Sequence, residues 1–86
     1  MINVKEAVQA AVSFVEGLYG RRENIELTVE EVEVTEDDQY WLITLGFVQN
    51  ANALLATTIG ARRDYKLFKV NAVTGEVTSM KIRSIA

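Results

Sequence analysis

Residues 64–82 read "DYKLFKVNAVTGEVTSMKI", and how this stretch is read decides the fold. Two runs in which apolar and polar residues alternate lie on either side of "NAVTGE", the pattern of two strands joined by a short turn. The side chain of Asn71 can accept a hydrogen bond from the backbone two residues on. Gly75 can take the positive φ of a type I turn with a following bulge, and strand residues resume at Val77. The stretch is therefore a β-hairpin, with "DYKLFKVNA" as its first strand and "EVTSMKIRSI" as its second. Phe68 and Val70 share a face with Met80 and Ile82 and form part of a core.

A lone hairpin cannot bury that face, so the partners lie upstream. "YWLITLGFV", residues 40–48, is rich in aromatic and β-branched residues and reads as another strand. Trp41, Ile43, Leu45 and Phe47 alternate onto one face, and Tyr40, Leu42, Thr44 and Val48 onto the other. Before it, "TEDDQ" has the side chains that close tight turns. Before that, Ile25, Leu27 and Val29 alternate in one phase and Val32 and Val34 in the opposite phase. Both halves of this strand keep their apolar side on the core only if one extra residue is inserted, which places a β-bulge at Glu30–Glu31.

Residues 1–20 have a different period. Val4, Val8, Ala11, Val12, Val15, Leu18 and Tyr19 recur at three- and four-residue intervals, the spacing of one helical stripe. Asn3 and Glu6 have the spacing of a capping box, and Gly20 is placed to end the helix in a left-handed conformation. The fold class is α+β in a single domain, residues 1–86. One N-terminal helix packs across a four-stranded antiparallel meander, α-β-β-β-β.

Composition narrows the function classes. The chain has no histidine, cysteine or proline, which leaves no disulfide, thiolate metal site, imidazole ligand or Ser-His pair. Three consecutive carboxylates, Glu36, Asp37 and Asp38, fall in a turn that lacks the ligand spacing of a calcium loop. No glycine-rich phosphate loop is present. "ARRDYK" offers too few bases, in a chain of net charge −3, for a nucleic-acid surface. The reading is a protein without catalytic residues, cofactor or metal, and without nucleic-acid or membrane partners. Polar residues interrupt the N-terminal apolar run, so a secretory signal is not expected and the expected location is cytoplasmic.

The charge is unevenly distributed. Residues 1–43 hold ten acids against three bases, net −7, and residues 44–86 hold six bases against two acids, net +4. Such strips serve as solvated strand faces that keep a domain soluble, or as surfaces by which two copies dock acidic side to basic side.

Residues 70–77, "VNAVTGEV", resemble the "V-D-A-x-T-G-E-V" signature of PepSY-type domains, within the broader cystatin-like group. The likeness covers residues 64–82, and the rest of the chain follows only by element order. Asn71 stands where that family usually has aspartate, which keeps the turn-capping acceptor and loses a charge. The resemblance implies a binding module that restrains a peptidase and contributes no catalytic residue.

One segment is unexplained by hairpin logic: "QNANALLATTIGARR", residues 49–63, is longer than a tight connection needs and carries Leu54, Leu55 and Ile59. It can lengthen the two strands into an arm, fold back on the sheet, or form a mobile loop that contacts another chain. A helix covers one face of the sheet, so the opposite face is left with Tyr40, Leu42, Val48, Tyr65 and Leu67. With Leu54, Leu55 and Ile59 these are the candidate interface residues, and the expected partner is a protein, including a second copy in a homodimer. The expected function is a small non-enzymatic interaction module of an inhibitory or regulatory kind, peptidase-restraining or immunity-type. The alternative is a small-ligand-binding or enzymatic cup between helix and sheet.

Overall fold

The computed structural model describes residues 1–20, 25–49 and 62–83. Helix α1, Val4–Tyr19, is followed by strands β1 (Ile25–Val34), β2 (Tyr40–Gln49), β3 (Arg62–Asn71) and β4 (Val77–Arg83). The strands form one sheet in the order β1-β2-β3-β4, every neighbouring pair antiparallel. The fold is thus the α+β helix-on-meander expected from the sequence. Among the described residues no helix is long and apolar enough to cross a membrane.

The helix ends are set by local chemistry. The Glu6 amide donates to Asn3 Oδ1 at 2.8 Å and the Asn3 amide donates to Glu6 Oε1 at 3.1 Å, a complete capping box. At the other end the Gly20 amide reaches the Glu16 carbonyl, with Gly20 at a φ of 74°.

The inward stripe keeps Val8, Ala11, Val12 and Val15 of the expected one and is rotated toward Ala7. Ala7, Ala11 and Val15 are buried, with Val8, Ala10, Val12 and Phe14 packed beside them, whereas Val4, Leu18 and Tyr19 are exposed. Small side chains along the line of closest approach let the helix come near the sheet. This brings the Phe14 ring edge-on to Phe68, with centroids 6.3 Å apart and planes at 77°. Ile43, Leu45, Phe68 and Val70, all fully buried, form the sheet side of this core.

A helix about 10 Å wide covers roughly two strands spaced about 4.8 Å apart. The flanks therefore remain open, with Val29 on β1 51% exposed and Ile82 on β4 85% exposed. Ile82 does not join the core that the alternation suggested.

Two irregularities keep the strands in phase. In β1 the pairing with β2 slips between Val29 and Glu31, so Glu30 is the extra residue and Val32 stays on the core side with Leu27. In β4 the pairing jumps from Lys69–Ser79 to Val70–Val77, leaving Thr78 as a second bulge whose hydroxyl donates to the Lys69 carbonyl at 3.2 Å. Val77 and Met80 consequently both pack on the core although they lie three residues apart.

The β3–β4 turn is built as its sequence indicates. Asn71 Oδ1 accepts from the amides of Val73 at 2.8 Å and Thr74 at 2.9 Å, and Gly75 sits at a φ of 77°. The same end anchors the N-terminus: the Ile2 amide donates to the Ala72 carbonyl, and Trp41 Nε1 donates to the Ile2 carbonyl at 3.1 Å.

Candidate functional site

The face of the sheet opposite α1 is defined by the register, because cross-strand neighbours share a face. On β2 it carries Tyr40, Leu42, Thr44, Gly46 and Val48; opposite them on β3 stand Asn71, Lys69, Leu67 and Tyr65. The flanking strands add Glu33, Glu31, Thr28 and Glu26 from β1 and Ser79, Lys81 and Arg83 from β4. Tyr40, Leu42, Val48, Tyr65 and Leu67 are therefore brought together on one surface. Val48 is buried and the other four are half-buried. Leu54, Leu55 and Ile59 lie outside the described residues.

This face is less apolar than alternation alone suggests, because a side chain crosses it. Arg83 extends from β4 past β3, where its Nη1 donates to Thr44 Oγ1 on β2 at 2.6 Å and lies 2.9 Å from Glu31 Oε2 on β1. Thr44 is fully buried, and this guanidinium satisfies its hydroxyl. The ion pair itself is part-exposed and so adds little stability by Coulomb attraction alone. Its consequence is geometric: it ties both edges of the sheet to the centre.

Close packing at Gly46 brings β1 further onto this face. A Cβ built on Gly46 would lie 2.6 Å from Thr28 Oγ1 and 3.3 Å from Glu30 Cγ, so only glycine fits beneath these side chains. The Glu30 carboxylate therefore joins Glu26, Glu31 and Glu33 along the β1 side. On the other side stand Lys69 and Lys81, while the Arg83 guanidinium reaches over to Glu31. Lys69 Nζ lies 4.2 Å from the centre of the Tyr40 ring, a cation–π contact that holds both side chains flat on the sheet. The result is an aromatic and aliphatic centre between an acidic and a basic strip.

The acidic turn between β1 and β2 serves the backbone. Asp37 Oδ1 accepts from the Thr35 hydroxyl at 2.6 Å and the Gln39 amide at 3.1 Å, and Asp38 takes a φ of 57°. The Thr35 hydroxyl foremost, and then the Gln39 amide, hold the Asp37 carboxyl below its ordinary range, with a smaller pull from Lys69. Among the described residues no group of three or more acidic side chains is placed to hold a metal ion.

Sequence reasoning did not find the Arg83–Thr44–Glu31 link. Its only trace in the sequence is a base near the end of β4 and a threonine amid the apolar residues of β2. Compared with protein-family models, with curated proteins and with solved structures, the chain shows no match.

Proposed function

We propose that this protein is a small non-enzymatic interaction module, inhibitory or regulatory in kind, that docks a protein on the sheet face opposite its helix. The observation that carries the reading is the composition of that face. Half-buried Tyr40, Leu42, Tyr65 and Leu67 lie between opposed charged strips on a rigid sheet, with no helix of the described residues over them. Aromatic anchors within a charged rim are the usual anatomy of a protein-docking surface.

The opposite side of the sheet supports the same reading. Ala7, Ala11, Ile43, Leu45, Phe68 and Val70 are fully buried between the layers, so side chains fill the space that a ligand cup would need. The PepSY-type resemblance of residues 64–82 gives the docking a direction, restraint of a peptidase. An immunity-type block of a toxin is the other form that the same surface would serve.

Photo-crosslinking tests this. A benzophenone side chain at Lys81, exposed on the docking face, should capture a protein in cells that express the chain. The same group at Gln9, exposed on the helix, should not. Capture from position 9 alone, or from neither position, would overturn the proposal.

A further inference from the structure

We infer that the docking face takes a second copy of this chain, related by a two-fold axis that runs parallel to the strands and passes between β2 and β3. The inference rests on the docking reading above and names its occupant. It follows from where the charges lie. Exposed Glu26, Glu30, Glu31 and Glu33 line the β1 side of the face, where the Arg83 guanidinium pairs Glu31, while Lys69 and Lys81 line the β3–β4 side.

Two identical sheets can stack face to face about a two-fold axis lying in the plane between them. An axis across the strands would set β1 on β1 and oppose each row of glutamates to its own copy. An axis along the strands instead sets β1 of one copy over β4 of the other, and β2 over β3. The acidic strip then meets the basic strip on both sides of the dimer at once.

The register makes the pairing specific. Glu31, Thr44, Leu67 and Lys81 form one row across the sheet, and Glu33, Leu42, Lys69 and Ser79 form the next. Rotation about the axis along the strands carries Lys81 of the second copy over Glu31, which Arg83 already pairs, and within one row of Glu33, and lays Leu67 over the Arg83 side chain that crosses Thr44. The two sheets would cross at about 30° because each is twisted, so these central rows make the closest contacts.

Four strands about 4.8 Å apart and about nine residues long give a face on the order of 550 Å² in projection, enough for one small interface between two copies. The dimer is reversible and weakens as salt screens the strips.

Charge reversal tests the axis. Glu33→Lys and Lys81→Glu each oppose like charges at both symmetric contacts, so each variant alone should sediment as a monomer at concentrations where the parent chain dimerises. Mixed in equal amounts, the two variants should form a heterodimer, because the lysine introduced in one chain meets the glutamate introduced in the other while the second contact keeps its native charges. Matching circular dichroism and urea midpoints for both variants would show that folding is unaffected. If the mixture stays monomeric while the parent chain dimerises, the axis is wrong. If the parent chain is monomeric at several hundred micromolar, the second copy is wrong. In that case capture of another protein from Lys81 would leave the docking reading standing, and absence of capture would remove both.

Discussion

Truncation of Phe68 to alanine should remove a large part of the stability of this domain. Phe68 is fully buried, stands between Ile43 and Met80 on the neighbouring strands, and receives the edge of the Phe14 ring at 6.3 Å. A Phe→Ala change at such a site costs about 3–5 kcal/mol. At roughly 0.05–0.15 kcal/mol per residue, a domain of this size has a total of about 4–13 kcal/mol. The loss is therefore about a quarter of the stability at least and all of it at most. Urea denaturation followed by Trp41, the only tryptophan, measures it. With a slope near about 1–1.5 kcal/mol/M, the midpoint should fall by about 3 M. Phe68→Leu keeps most of the buried area and loses the ring pair, so a Phe14→Leu/Phe68→Leu cycle should show about 0.5–1.5 kcal/mol of coupling. A Phe68→Ala loss below about 1 kcal/mol, the range of surface substitutions, would refute the placement of this ring beneath the helix.

Gly46→Ala should destabilise by about 1–2 kcal/mol, since overpacking against Thr28 and Glu30 outweighs the roughly 0.4–1 kcal/mol gained by restricting the unfolded chain. In a Thr28→Ala background that penalty should shrink in thermal melts, and an undiminished penalty would mean that the close approach is not at Thr28. Gly75→Val should cost about 1–3 kcal/mol by denaturation, although its Cβ would have ordinary room 3.8 Å from Ile2 Cδ1, because the backbone there has a φ of 77°. A neutral result would exclude the left-handed turn. The Asp37 carboxyl should titrate by NMR below the ordinary aspartate value of 3.8. A depressed folded value means that its stabilisation is present above 3.8 and is lost as pH falls through the depressed value. Thr35→Val should move the midpoint back up, and a wild-type midpoint at or above 3.8 would contradict the turn geometry.

What the sequence disclosed was the chemistry that acts over a few residues. The capping box of Asn3 and Glu6, the turn at Asn71 and Gly75, and the change of phase between Val29 and Val32 each follow from neighbouring side chains. All were legible. The rotation of the helix was legible only in part: Ala11 and Val15 were in the expected stripe, but the small Ala7, which sets the approach that packing prefers, was passed over for the larger Val4 and Leu18. The bulge at Thr78 left a trace in the odd spacing of Val77 and Met80, which is visible only once both are known to face the core. On the candidate face, alternation correctly grouped Tyr40, Leu42, Val48, Tyr65 and Leu67. It could not show Arg83 reaching Thr44 and Glu31, a contact that depends on the register of all four strands together.

The chain contains no cysteine, so a single introduced thiol reports on its own surroundings. Ser79→Cys places one on the sheet face in the row of Glu33 and Leu42, and Ser13→Cys places one on the exposed side of the helix. The labelling rate of each, measured as protein concentration rises from about 1 μM to several hundred micromolar, tests the claim that this face takes a second copy of the chain. The account predicts that labelling at position 79 slows severalfold while position 13 is unchanged. Equal rates at all concentrations, or protection at position 13 instead, would contradict it.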